Sequence, residues 1–577
     1  MRFGRFGWAW SCLAVVVLVA AACTNPPPPP EPARPRSTTT TPADVPSQIV
    51  VSVDAVAGGY NPHIRADAST ITSALSQLLL PSVFRIDGEG APKLDETLMR
   101  SAKLVSTDPF TVAYEIRPDA SWSDGAPIAA EDFIYLAAAM RSEPGTANPA
   151  GYRLIDDIAS RSGGKRVEVQ FAEPYPGWRS LFDDLLPAHL LKDAPGGWQA
   201  ALSNSFPAYG GPFSIKILDK ARGEIILERN ERYWEKPAAV DQIVLRRSDR
   251  PGMVAALRSG SDQFAVTGLD AASVRAFDRL GDRFEQHTVV RPVVAEVLLR
   301  PVPGRLADDD LRAGIAALID REKLIDAGAA GGPSRTLRAD AQVLPPSSPD
   351  YRPTVPEDRQ GPQQARAAGL LIEAGYEYSE GTWRARADGE PLTLVIASPG
   401  KREPYASAAT ELERQLTEAG IAVDKIKPPS RELFSTVLTN TERADESTSG
   451  QVAVDIAVVP RIVGTDSASS LASRFGCEWP DEDNGADASR PSSEPAATTG
   501  FCVQELQPLI TGALTGERRL IEVLDTVEPA LWRENVAIPL FQLADTLVLG
   551  DGVSGVTPGP PLIGPFGSAV NWIRTSG

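Results

Sequence analysis

A chain of 577 residues is too long for one compact core and implies two or three domains. Its 57 basic residues stand against 75 acidic ones, a formal net charge of -18, which argues against a nucleic-acid partner and for a body that avoids anionic surfaces. Hydrophobic residues make up 42% of the chain, as in a soluble globular protein.

The amino terminus reads as an export signal. Arg2 and Arg5 precede an apolar run over 13–19 that ends in Ala20, Ala21, Ala22 and Cys23. A short positive region, an apolar stretch and small residues at the cut make a secretory signal peptide over residues 1–22. The run is too short for a membrane span, which needs about 20 apolar residues. The small residues before Cys23 resemble a bacterial lipobox, with Ala20 where leucine is commoner. Cys23 is therefore expected to carry the lipid (palmitate) that anchors the protein to the extracytoplasmic face of the cell membrane. Cys12 leaves with the signal, so Cys477 and Cys502 remain and are expected to pair in a disulfide, as cysteines of exported chains do. They would pin a polar surface loop rich in Pro, Ser and Asp. Metal ligation is the competing reading, and it lacks a neighbouring histidine.

Residues 23–47 hold five consecutive prolines from Pro26 and a threonine run over 38–41, the composition of a disordered tether. The first strand is expected over 48–53, followed by a GGYNP turn at 58–62. Residues 70–80 are apolar at helical spacing, and 111–116 alternate as a strand. In the stretch 122–140, Asp124 and Gly125 make a turn. Glu131 and Asp132 place negative charge on the first turn of a helix, whose inward face is Phe133, Leu136, Ala137 and Met140. Trp122 is read as core. In 209–246, Gly210, Gly211 and Pro212 form an entry turn. Phe213, Ile215 and Ile217 alternate with polar residues, and a hairpin returns through Ile225 and Leu227. The pair Tyr233–Trp234 and a third strand over 240–245 follow. Beyond it come a helix, Ser-Gly turn and strand over 254–266, a helix within 306–325 capped by Asp308 or Asp309, a helix closed by Gly375, and another over 404–419. Alternating strands and helices predict an α/β fold.

Little in the chain nominates catalysis. Its three histidines, His63, His189 and His287, are far apart and lack metal-ligand spacing. No GxSxG elbow or P-loop is present. Gly550, Gly552 and Gly555 satisfy GxGxxG, but Pro558, Pro560 and Pro561 forbid the helix that would bind a pyrophosphate. The expectation is a non-enzyme that needs neither metal nor cofactor.

The order of Gly-Pro-aromatic turn, hairpin, Arg229-Asn230, Tyr233-Trp234 and returning strand resembles the extracellular solute-binding proteins of family 5, the peptide and nickel receptors of ABC importers. The order Trp122, Asp124-Gly125, Pro127, Glu131-Asp132 is a second match, and Arg312 with Ile319-Asp320-Arg321 a third. The resemblance implies a two-lobed, type II-like periplasmic-binding-protein fold of cluster C. Lobe one would span 48–290 with a subdomain at about 71–204. Lobe two would span 291–530 and carry the 477–502 loop, and the chain would return to lobe one over 531–577. In peptide receptors of this class an aspartate of lobe two pairs with the peptide's amine, and the matching position here is Gly464, with Asp466 two residues on. A buried ammonium without its carboxylate is strongly disfavoured. The departure, the proline-rich tether and the Cys477–Cys502 insertion resemble a mycobacterial lipoprotein branch of the family. That relation implies a phosphatidylinositol mannoside ligand and a role in lipomannan and lipoarabinomannan biosynthesis. Arg461 would then meet phosphate or sugar hydroxyls, and Tyr60, Trp178 and Tyr209 would stack on sugar rings. The alternative is a peptide or small-solute receptor of an ABC importer, using Asp466. The expected partners are the ligand, the membrane through Cys23, and either an ABC permease or an envelope mannosyltransferase. The protein is expected to be a monomer.

Overall fold

A computed structural model describes residues 47–268, 270–301, 304–359, 361–439, 452–477 and 499–575. The expected signal peptide, the expected tether up to residue 46, Cys23 and the loop 478–498 lie outside them.

The fold is mixed α/β. Among the described residues a ten-stranded sheet runs through it, built from β1 (Gln48–Val53), β2 (Phe213–Asp219), β3 (Glu224–Arg229), β4 (Gln242–Arg247), β5 (Phe264–Thr267), β6 (Glu285–Leu299), β7 (Thr393–Ala397), β8 (Ala422–Ile426), β9 (Ile456–Ile462) and β10 (Ala537–Leu549). Their order is β8-β7-β9-β6-β10-β5-β1-β4-β3-β2. β1 is buried on both faces and lies parallel to β4 and β5, as a near-continuous apolar run should.

Two long strands make the fold two-lobed. β6 and β10 pair antiparallel from Glu285–Leu549 to Leu298–Ala537, with breaks in register between Val290 and Val294 and again at Ala295. One end of the pair joins β5, and with it the first half of the sheet; the other end joins β9 and the second half. The larger core runs from the first half onto β7 and β9 through Val395, Ala397, Ala457 and Val459, and a separate one lies in the second lobe. That of the second lobe packs Leu306, Leu311, Ile315, Leu394, Leu412 and Ile456.

The first lobe carries a second, antiparallel sheet of the strands Met99–Thr107, Phe110–Ile116, Arg166–Phe171 and Ile155–Arg161. Trp122 is fully buried here, and its Nε1 donates to Asp132 Oδ2 at 3.2 Å. The Asp132 carboxylate also accepts from the amides of Ala129 and Ala188, fixing the start of the helix Ala130–Ser142.

Two local readings gain detail. Gly210 and Gly211, in the bend that enters β2, also serve a close approach. Both amides donate to Leu79 O at 2.9 Å, and a Cβ on Gly211 would fall 2.4 Å from Leu78 O. They let the chain lie against the end of helix α1 (Thr70–Leu79). The stretch 306–325 holds two helices, Asp309–Leu318 and Arg321–Ala329, because the Asp320 side chain accepts from Lys323 N and restarts the helix where Ile319 is extended.

Cys477 and Cys502 form a disulfide that closes 25 residues of sequence. Replacing both with serine is expected to cost about 2–4 kcal/mol through the freed chain entropy of the unfolded state. Urea denaturation of oxidised and mutant protein, compared at equal m, measures it; coincident midpoints would refute it.

Candidate functional site

The N-terminus of α1 enters the cleft between the lobes and divides it. Ser69, which caps the helix by accepting from Thr72 N, borders the cavities on both sides. So does Arg291, which emerges from the register break in β6. Arg291 Nε lies 3.7 Å from Asp545 Oδ2, with 17% of its side chain exposed.

The first chamber, about 600 Å³, lies at the C-terminal ends of β1 and β5, where ligands of α/β sheets commonly bind. Three guanidinium groups (Arg250, Arg291, Arg402) and four carboxylates (Asp54, Asp270, Glu403, Asp545) line it. Asp54 accepts from Thr267 Oγ1 and Gly268 N, while burial, with the Asp545 charge beside it, raises its pKa. Asp545 accepts from Thr70 Oγ1 at 2.6 Å. Arg250 donates to Asp270, and its buried Nε has no partner among the described residues. Arg402 Nη1 donates to Ala66 O at 3.0 Å, and burial lowers its pKa. Alternating cationic donors and anionic acceptors suit a ligand with both phosphate-like and hydroxyl groups.

The second chamber, about 580 Å³, has apolar walls from Phe84, Ile86, Met140, Leu181, Val293, Ile462, Val463, Leu562 and Ile563. Some of its polar groups are spent on the protein itself, whereas the buried Gln77 Oε1 and Asp183 Oδ1 have no hydrogen-bond partner among the described residues. His63 Nε2 donates to Asp184 O at 2.9 Å, and burial lowers the histidine's pKa. Burial raises Asp183 well above the usual carboxylate range. Asn148 and Asp184, which line the chamber, hold positive φ of 50° and 47°, and Phe182, which does not, holds 63°. A Cβ on Gly464 would lie 2.8 Å from Asn148 Nδ2, so the Asn148 amide fills the space a side chain there would enter.

Of the five residues singled out from sequence, Asp466 alone lines a chamber. Its Oδ1 accepts from Ala468 N and Ser469 N, capping the helix Ser467–Phe475, and its Oδ2 accepts from Tyr175 OH at 2.7 Å. Arg461 lies behind the wall, 5% exposed, its Nη1 donating to Gln342 O and Val343 O, and burial lowers its pKa to about 9. Its neighbour Ile462 faces the chamber instead, since successive strand residues point to opposite faces. Tyr60 is buried, donates to Val56 O and stacks on Phe206. Trp178 packs edge-on against Phe84 and Tyr114, with the Arg179 guanidinium over its ring. Tyr209 is half-buried and borders neither chamber. Sequence reasoning missed Asp54, Arg291, Arg402 and Asp545. The usable signal was that Asp54 directly follows a parallel strand and Arg402 closely follows another.

Among the described residues no group of three or more His, Cys, Asp or Glu is placed to hold a metal ion, and no helix is long and apolar enough to cross a membrane. The family model described as bacterial extracellular solute-binding proteins, family 5 Middle, matches residues 93–456. The chain is similar to the probable monoacyl phosphatidylinositol tetramannoside-binding protein LpqW of Mycobacterium tuberculosis (strain ATCC 25618 / H37Rv), 33% identical over 599 residues that cover 92% of each chain. It is 25% identical over 512 residues to the oligopeptide-binding protein OppA of the same organism, covering 84% of this chain and 78% of that one. The solved structure of the periplasmic EDTA-binding protein EppA matches with a TM-score of 0.68 at 22% identity, over 92% of this chain and 98% of that one, a likeness of fold.

Proposed function

This chain belongs to the bacterial extracellular solute-binding proteins of family 5, and we propose that it is a lipid-anchored receptor whose lobes enclose a phosphatidylinositol mannoside. In this reading Cys23 carries the anchor at the extracytoplasmic face of the membrane, and the protein serves cell-envelope glycolipid synthesis, presenting the ligand to a mannosyltransferase. One observation carries the proposal. The cleft is divided into a charged chamber and an apolar-walled chamber of similar size that meet at Arg291 and Ser69, a shape suited to an amphiphile with an anionic, hydroxyl-rich head and an acyl tail. The similarity to LpqW supports it.

A second reading, an oligopeptide or small-solute receptor of an ABC importer, is favoured by Asp183, Asp184 and Asp466 in the second chamber. Against it, Asp466 is already engaged by a helix cap and Tyr175, and the neighbouring position is filled by Asn148. Native mass spectrometry of the full-length protein, incubated with a mycobacterial polar-lipid extract and separately with a peptide mixture, separates the two. Retention of a mannosylated phosphatidylinositol is expected; retention of peptides alone would replace the first reading with the second.

A further inference from the structure

We propose that Arg431 is the latch that holds the lobes closed, setting how long a ligand stays without touching it. Arg431 follows β8 in the second lobe and reaches across to the first. Its Nε donates to Asp67 Oδ1 at 3.0 Å and its Nη2 to Asp67 Oδ2, a two-pronged ion pair. The same guanidinium donates to the carbonyls of Gln199 and Ala201, so one side chain grips two separate segments of the opposite lobe. Neither Arg431 nor Asp67 borders either chamber.

Asp67 is built to receive it. The carboxylate is 2% exposed and also accepts from Asn61 N at 3.0 Å. A Cβ on Gly59 would fall 2.0 Å from Asp67 Oδ1, so the glycine is what admits the carboxylate to this place. Next to the pair, Ala66 O accepts from Ser430 Oγ and Arg402 Nη1, two further contacts between the lobes. Asp67 O accepts from Thr72 Oγ1 in the first turn of α1, so the latch is tied directly to the helix that divides the two chambers.

Opening the lobes must break the ion pair and its carbonyl contacts together. Removing one partner of such a pair acts chiefly on the rate of opening, and so on ligand release. The latch serves whichever ligand occupies the cleft and does not depend on the glycolipid reading.

Hydrogen–deuterium exchange of the full-length protein without added ligand tests it away from the mutated residue. Across the cleft, the amides of Ala150 and Gly151 donate to Ser473 Oγ and Ser469 Oγ of the second lobe, contacts that an opened protein loses. In Arg431→Met the segment 148–152 is expected to exchange about 10-fold faster than in the wild type, with β1 and β10 unchanged. Arg431→Lys, which keeps the charge but not the fork, is expected to fall between them. Unchanged exchange over 148–152 would overturn the proposal. If Arg431→Met also loosens the core strands, Asp67→Asn decides, since its amide oxygen can still accept from Asn61 N. Opening over 148–152 with an intact core supports the latch, whereas faster exchange of β1 and β10 in both variants would make the pair a folding element and overturn it.

Discussion

Glu296→Gln is expected to destabilise the folded chain by about 3–5 kcal/mol, the cost of leaving buried cations without their counter-charge. Glu296 lies on β6, 4% exposed, where its Oε2 accepts from Arg474 Nη2 at 2.6 Å and stands 3.9 Å from Arg461 Nε. Arg461 Nε and Nη2 and Arg474 Nε are buried with no hydrogen-bond partner among the described residues, so the carboxylate compensates two guanidinium groups at once through its charge. Burial lowers the pKa of Arg461 to about 9 and of Arg65 to about 10, and Glu296 opposes the shift in both. The nearby Glu528 accepts from Gln342 N, Val343 N and Thr354 Oγ1 and touches neither guanidinium through a hydrogen bond, though its charge adds to that of Glu296 in holding Arg461 and Arg474 protonated. Glutamine keeps the shape and removes the charge, which makes it a test of electrostatics alone. Urea denaturation should show a lowered midpoint at constant m. In the double variant Glu296→Gln/Arg474→Met the loss should be smaller than the sum of the two single losses. An unchanged midpoint in Glu296→Gln would show that the cluster is compensated some other way.

How much of this was legible beforehand follows the range of the interactions. Strand β1 and helix α1 are local patterns: the strand expected over 48–53 stands in the fold, and the helix expected over 70–80 runs over Thr70–Leu79. The hairpin of β2 and β3 rests on alternation and a glycine at Gly223 with φ 72°, again a local signal. The cleft is different in kind. Its charged chamber draws on residues near positions 54, 70, 250, 270, 291, 330, 402 and 545, brought together only because β6 and β10 belong to both lobes. Arg461 shows how small an error suffices, because a shift of one residue along β9 separates a chamber wall from the buried charge cluster behind it. Tyr60 and Trp178 were attractive as sugar platforms, but aromatic residues of that size are more often core, and both are buried. Gly464 was legible as a departure from the peptide receptors. That the Asn148 amide fills its place could not be read from a residue more than 300 positions away.

Arg291→Met is expected to weaken binding of the lipid retained from the polar extract by about 10–100-fold, the loss of one or more hydrogen bonds from a charged donor worth roughly 1.5–3 kcal/mol. Arg291 borders both chambers, and among the described residues its side chain makes one ion pair, the 3.7 Å approach to Asp545, so its donors are available where an anionic head would turn into a tail. The prediction becomes discriminating beside a variant that acts on the tail. Ile86 borders the apolar chamber and is only partly buried, so Ile86→Trp should fill that space with little cost to folding. A ligand that spans the division must lose affinity in both variants. A ligand confined to the charged chamber must lose it in Arg291→Met alone. Titration of each variant with the intact lipid and with its deacylated head group measures the difference, with retained urea midpoints as the check on folding. Full lipid affinity in Ile86→Trp would mean that no acyl chain enters the second chamber, and the case for an amphiphile built on two chambers would fall with it.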